Sequence, residues 1–408
     1  MIPEGWLIST LENLIDIKHG FAFKSDYFRS EGEYILTTPG HFFEVGGFRD
    51  QGNKTKYYVG EVPKEYILKK GDVLLAMTEQ AAGLLGSAMY VPDSNKYLHN
   101  QRLGLVVVLD HERVCKEYIY LIYNSHTTRK IIAEQASGTK VKHTSPSRLL
   151  GVNVLIPPLS EQKKISKILS IWDKAITTTE QLLTNSQQQK KSLMQQLLTG
   201  NKRFPEFNER WENRSLSEIC ILGAGQPAPQ GEKYFINGNH DFLRVSDLGL
   251  NTSRWAPQSR DKINELAIRE CKLELVPAKA TLFTKSGASL LLNQRAQLKD
   301  SSYIVSHLGF AKAKDCISDD FVFYLMCSID FNHYAAGTSL PALQLSVLKS
   351  LKVLIPPYEE QKKIAAMLSD ADVEISILEK TLFFLKQEKK TLMQQLLTGK
   401  RRVKTEAA

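Results

Sequence analysis

The sequence predicts an α+β protein: two mixed α/β globular domains separated by a long antiparallel two-helix coiled coil, related by a pseudo-two-fold internal duplication. Three observations predict it. A 47-residue segment occurs twice, at 154–200 and 353–399, offset by 199 with no gap and 27 identical positions. Each copy carries an apolar stripe at strict heptad spacing. Each is preceded by a stretch that reads as short buried strands followed by a helix.

The duplication organises everything else. Both copies open Val-Leu-Ile-Pro-Pro, continue Glu-Gln-Lys-Lys-Ile and close Leu-Met-Gln-Gln-Leu-Leu-Thr-Gly. Fainter echoes extend it: Trp6, Leu11, Leu14 and Gly20 recur as Trp211, Leu216, Ile219 and Gly225, at an offset of 205. Ala136-Ser137-Gly138-Thr139 matches Ala335-Ala336-Gly337-Thr338 at offset 199. The second globular part is therefore six residues shorter, and the middles of the two share almost nothing. The expected organisation is a first domain at 1–153, a first spacer helix at 154–204, a second domain at 205–352 and a second spacer helix at 353–408.

Pro157-Pro158 and Pro356-Pro357 suit helix entry, and Gly200 and Gly399, followed by basic residues, suit helix exit. Between them the seam of the first copy is Ile165, Leu169, Trp172, Ile176, Thr179, Leu183, Ser186, Lys190, Leu193 and Leu197. That of the second is Ile364, Leu368, Ala371, Ile375, Leu378, Leu382, Leu385, Lys389, Leu392 and Leu396. Two amphipathic helices in separate cores would also place apolar residues here, but alternating steps of four and three over about 35 residues favour a coiled coil. The first helix arrives at the second domain and the second leaves it, so close domain termini force an antiparallel pair. About 38 residues give a rod of roughly 57 Å. Lys190 and Lys389 occupy the same seam position. Either they snorkel out of the seam, or a third helix meets the pair there.

In the first domain, Asp72–Met77 and Leu103–Leu109 read as buried strands, and Ala280–Phe283 does so in the second. A helix is expected from about Lys116 to Gln135 with Gly138 as its stop, and again over Phe321–Ala336 before Gly337. Basic, amide and aromatic residues populate the expected loops. They are Lys24, Lys54, Lys56, Tyr57, Gln80, Arg102, Lys140 and Lys142 in the first domain. In the second they are Gln226, Lys233, Arg244, Arg254, Lys285, Arg295 and Lys299. Arg and Lys can pair with guanine edges, Asn and Gln with adenine, and all with phosphate, so the set is a candidate DNA-binding surface.

Composition agrees with a basic protein that meets a polyanion: the net charge is +9, with 42% hydrophobic and 24% charged residues. No run of 18 apolar residues suggests a membrane span, and the start shows no secretory pattern. Five scattered cysteines without a Cys-x-x-Cys pair point to a reducing, cytoplasmic setting rather than a zinc site or disulfide framework. Catalytic motifs are not expected. Ile355-Pro356-Pro357-Tyr358 has the outline of an amino-methyltransferase loop, but isoleucine stands where such a loop needs a polar acceptor. Gly223-Ala224-Gly225 lacks the third glycine of a dinucleotide loop, no P-loop occurs, and no histidine pair has metal-ligand spacing.

A variable domain followed by an Ile-Pro-Pro-x-x-Glu-Gln helix, then the same pair again, resembles the specificity subunit of type I restriction–modification systems. Gly20-Phe21-Ala22-Phe23-Lys24-Ser25 is similar to that family's early glycine-aromatic motif, and the Gly-Thr pairs at 138 and 337 lie near its domain ends. The second copy departs at Gly225-Gln226-Pro227-Ala228-Pro229. The resemblance implies two target-recognition domains, each reading half of a bipartite double-stranded DNA site, held apart by the spacer helices. It implies assembly with two modification subunits that bind S-adenosylmethionine and with restriction subunits that use ATP and Mg²⁺. It implies no cofactor and no catalysis in this chain. A single-chain methyltransferase or nuclease, and a coiled-coil scaffold without sequence preference, are the competing classes.

Overall fold

The computed structural model describes residues 2–138, 141–249, 251, 253–337 and 341–404. The chain forms two compact units, 1–178 together with 383–408, and 179–382. Each repeat helix is one continuous α-helix of 40 residues, Leu159–Leu198 and Tyr358–Leu397, starting directly after its Pro-Pro. Each contributes one part to each unit.

The two units share one topology. In the first, a four-stranded antiparallel sheet has the order Ile15–His19, Leu103–Val108, Val73–Ala76, Ala88–Tyr90. In the second the order is Cys220–Ala224, Leu308–Ala313, Thr281–Thr284, Arg295–Gln297. The registers correspond: Ile17, Val106, Val73 and Tyr90 lie in one row, as do Leu222, Ala311, Thr281 and Gln297. Val73–Ala76 and Thr281–Thr284, the inner strands, are buried throughout. A smaller sheet follows in each unit. One contains Tyr34–Leu36 beside Tyr97–Leu98 in parallel, the other His240–Leu243 beside Tyr303–Ile304 in parallel. Leu7–Ser9 pairs antiparallel with Val154–Ile156, and Glu212–Ser215 with Lys352–Ile355, so each domain is closed where its repeat helix begins.

The expected helix over 116–135 is two helices, Lys116–Tyr123 and His126–Glu134. Ser125 breaks it by accepting from the Thr128 N–H at 3.3 Å, and Asn124 instead clasps the Ala88 backbone. The expected helix over 321–336 starts earlier, at Asp319, and ends at Ser328. Asp330 then starts a short 3-10 turn, Phe331–Tyr334, by accepting from the Asn332 N–H. Gly138 is not a helix stop. It sits at φ 110° in a turn where an added Cβ would lie 2.2 Å from the Val141 carbonyl oxygen.

Pairing of the repeat helices is antiparallel within each unit. In the first, Ile165 and Leu169 from the start of one helix share a core with Leu392, Leu396 and Leu397 from the end of the other. In the second, Leu193, Leu197 and Leu198 share a core with Ile364, Ala365 and Leu368. Trp172, Ile176, Leu183, Ile375, Leu378, Leu382 and Leu385 are half-buried, as a two-stranded seam with one open side requires.

The seam lysines stay at the helix pair, and in the second unit a third helix meets it there: Tyr324 of helix Asp319–Ser328 has its ring centroid 5.8 Å from Lys190 Nζ and donates to Asp372. Lys190 forms an ion pair with Asp372, and Lys389 with Asp173. The repeat thus carries its own counter-charge: each copy supplies the lysine for the other copy's aspartate. Its Glu-Gln pair is equally committed. Gln162 accepts from the Cys115 N–H at 3.1 Å and donates to the Pro157 carbonyl at 2.8 Å. Gln361 accepts from the Ser318 N–H at 2.9 Å and donates to the Pro356 carbonyl at 2.9 Å. Buried Glu161 accepts from the Trp6 indole at 3.2 Å and pairs with Arg402. Glu360 accepts from the Trp211 indole at 2.9 Å and from both arms of Arg203 at 2.7 and 3.0 Å. The Pro-Pro loop is therefore tied to its own helix and to the domain before it.

Candidate nucleic-acid interface

Gly20 and Gly225 explain where each domain presents its loops. An added Cβ at Gly20 would lie 2.2 Å from the Asn100 carbonyl oxygen, and at Gly225 2.2 Å from that of Ile304. Only glycine allows this approach. It lets the chain leave the edge strand in a parallel bridge, Phe21 to Asn100 in one domain and Gln226 to Val305 in the other. The second domain thus keeps the backbone device while replacing the aromatic residues.

Three further segments converge at the same sheet end. In the first domain the Met77 N–H donates to the Arg102 carbonyl at 3.0 Å, the Thr144 N–H to Met77 at 3.0 Å and the Glu79 N–H to Lys142 at 2.9 Å. In the second, the Lys285 N–H donates to the His307 carbonyl at 2.8 Å and the Leu343 N–H to Lys285 at 2.8 Å. A hydroxyl–imidazole pair pins each cluster: Thr78 Oγ1 to His143 Nδ1 at 3.2 Å, and Ser286 Oγ to His307 Nδ1 at 2.7 Å.

Gln80, Arg102 and Lys142 are exposed at this end of the first domain. Lys24 is exposed beside the Phe21–Phe23 pair, whose ring centroids lie 5.1 Å apart. Lys56 is exposed over the Phe28 ring, Tyr57 is half-buried on the small sheet, and Lys54 closes an exposed turn before it. Lys140 lies outside the described residues. In the second domain Lys285 lies at the corresponding sheet end, half-buried, with Gln226. Gln226 is already engaged, donating to Lys272 and accepting from the Glu274 N–H at 2.8 Å.

The remaining members of the second domain's set differ in how far the fold engages them. Lys233 pairs with Glu270 at 2.8 Å and Arg244 with Asp261. Lys299 is exposed near Trp255. Arg295 lies over the Phe331 ring at 3.6 Å and donates to the Met326 and Ile329 carbonyls, and burial pushes its guanidinium down to about 10. The Arg254 side chain is only 8% exposed, paired with Asp320. Arg254 and Arg295 direct their donors into the domain, whereas the Arg244 side chain remains 41% exposed. Gln101, His143 and His307, which no sequence motif singled out, are brought by the convergence to the sheet ends beside Phe21. The one available signal was Gly20, a glycine at a strand exit.

Among the described residues no group of three or more His, Cys, Asp or Glu side chains could hold a metal ion, and no helix is long and apolar enough to cross a membrane. Gly223 lies within strand Cys220–Ala224, packed against the Phe310 ring.

Residues 3–185 and 208–386 each match the family model described as the type I restriction modification DNA specificity domain. The chain is 26% identical over 363 residues to the type I restriction enzyme MjaVIII specificity subunit of Methanocaldococcus jannaschii, covering 84% of this chain and 81% of that protein. It is 20% identical to the EcoKI specificity subunit of Escherichia coli K12, covering 93% and 84%. The S subunit of the type I restriction–modification system from M. genitalium superposes with a TM-score of 0.63 over 97% of this chain and 96% of that one, at 16% identity. A chain from a study of complex assembly and conformational transition of the type I R-M system gives 0.57 over 98% and 100%, at 17% identity. These two likenesses establish a shared fold.

Proposed function

The chain belongs to the type I restriction modification DNA specificity family, and on that premise we propose that it is the DNA-reading subunit of a type I restriction–modification complex. The domain at 1–153 reads one half of a bipartite duplex site with its sheet-end loops, and the domain at 205–352 reads the other. The repeat helices set the number of unread base pairs between the halves and dock two modification subunits, which restriction subunits join. A helix of 40 residues is about 60 Å long, ample against the 34–36 Å between half-sites one turn apart. The chemistry belongs to the partners, with S-adenosylmethionine, ATP and Mg²⁺ bound there. This chain reads and does not react, and it works in the cytoplasm.

One observation carries the reading. Two sheet ends share a backbone scaffold built on Gly20 and Gly225 but offer unlike side chains. A shared scaffold with divergent loops is what two different half-sites require. The test is selection from random duplexes with the partner subunits present. A single two-part consensus with a fixed gap is expected; one uninterrupted run of bases, or no consensus, overturns it. Methyl transfer by the chain alone would overturn the division of labour.

A further inference from the structure

Arg254 sits in a cage in the second unit. Its Nε and Nη2 donate to Gln297 Oε1 at 3.0 and 2.7 Å, Nη2 pairs with Asp320, and Nη1 donates to Ser369 Oγ at 3.1 Å. The rings of Trp255, Phe323 and Tyr324 lie 4.8, 5.2 and 5.2 Å from the guanidinium carbon. Tyr324 in turn donates to Asp372 at 2.7 Å.

The duplication maps this cage onto the first unit residue by residue. The repeat takes Ser369 to Ser170 and Asp372 to Asp173. The preceding helix is registered by the Cys115 and Ser318 N–H groups on Gln162 and Gln361, which takes Asp320, Phe323 and Tyr324 to Glu117, Tyr120 and Leu121. The sheet register takes Gln297 to Tyr90. All six counterparts line one cavity of about 320 Å³, and no arginine is among its lining residues. Tyr90 and Tyr120 present stacked rings with centroids 4.2 Å apart. Glu117 is exposed, and the Asp173 side chain is 46% exposed against 22% for Asp372.

We propose that this cavity is a docking site for an arginine side chain carried by a partner polypeptide. The Glu117 carboxylate, counterpart of Asp320, supplies the charge, with Asp173 beside it already paired to Lys389, and Tyr90 and Tyr120 supply the flat surface a guanidinium stacks on. Lys163 and Lys167 on the lining disfavour a mobile small cation, so capture needs stacking and directional hydrogen bonds together. A polypeptide fits better than a free guanidinium because Arg254 fills its cage jointly with the neighbouring Trp255. The inference goes beyond DNA reading and does not depend on it.

Saturation-transfer NMR on the full chain tests it with acetyl-Arg-Trp-amide, against the lysine and citrulline analogues and guanidinium chloride. The arginine peptide binds about tenfold tighter than all three. Glu117→Gln, at an exposed position, weakens it about fivefold or more. Ser170→Leu, which fills the cavity from the exposed helix face, abolishes it with the circular dichroism unchanged. Equal binding of the three peptides, or no loss in both variants, overturns the proposal. Guanidinium binding as tightly as the peptide overturns the polypeptide partner.

Discussion

Lys190 and Asp372 form an ion pair across the repeat helices, and Asp372 also accepts from the Tyr324 hydroxyl. The link joins the seam to the helix that backs the second domain's sheet. Lys389 and Asp173 repeat the pair in the first unit.

Replacing Asp372 with leucine strands Lys190 in a half-buried seam and leaves the Tyr324 hydroxyl without its acceptor. The expected cost is about 1–3 kcal/mol. A Lys190→Leu, Asp372→Leu pair recovers most of it, because an apolar pair suits a seam. Urea unfolding of the three chains measures both effects.

Arg203 neutralises Glu360, whose side chain is fully buried. Arg203→Ala removes the charge partner of that carboxylate, leaving it the Trp211 indole donor, and is expected to lower stability. Adding Glu360→Gln removes the stranded charge, so the double variant is more stable than Arg203→Ala alone. Thermal unfolding decides; a double variant less stable than the single contradicts the arrangement.

Gly20→Ala and Gly225→Ala each push a methyl into a carbonyl oxygen. Each is expected to cost about 1–3 kcal/mol and to shift the sheet-end loops. Binding is expected to weaken at the affected half-site only, readable by footprinting each half separately.

His99 is buried, with Nε2 on the Leu103 carbonyl at 3.0 Å, and burial pushes its pKa down to about 4. Between pH 6.5 and 4 the unfolded chain takes a proton that the folded chain refuses. Stability from this group is therefore complete above about pH 6.5 and falls as pH drops, by roughly 3 kcal/mol at pH 4. His99→Gln keeps a donor and flattens that slope. Unfolding midpoints at pH 7 and 5 for both chains check the sign.

Lys24→Ala and Lys142→Ala each remove one exposed cation. Each is expected to lower the slope of log K against log salt by about 0.9 if it meets a phosphate. Arg254→Met destabilises the second unit but leaves that slope unchanged, because its guanidinium is inside the domain. Affinities at three salt concentrations separate the cases.

The duplication, the proline entry and glycine exit of each repeat helix and the seam were legible because each is local in sequence, although the repeat's first residues, Val154–Ile156 and 353–355, are strand where helix was expected. A heptad stripe, a proline entry and a glycine exit act within one or two turns of chain. The helix break at Ser125 was missed because apolar periodicity continues across it, while the Asn124 clasp that favours the break comes from a strand 36 residues away.

What the sequence settled alone is that one unit was used twice. Tertiary structure decided what the repeated polar residues are for. Glu161, Gln162 and Asp173 look like an ordinary solvated helix face, and Lys190 like a misplaced seam residue, until partners 47 to 241 residues distant reach them. It also separated inward arginines such as Arg254 from exposed lysines such as Lys142. Charge is written in the residue, but whether water or protein surrounds it depends on packing that no short stretch of chain encodes.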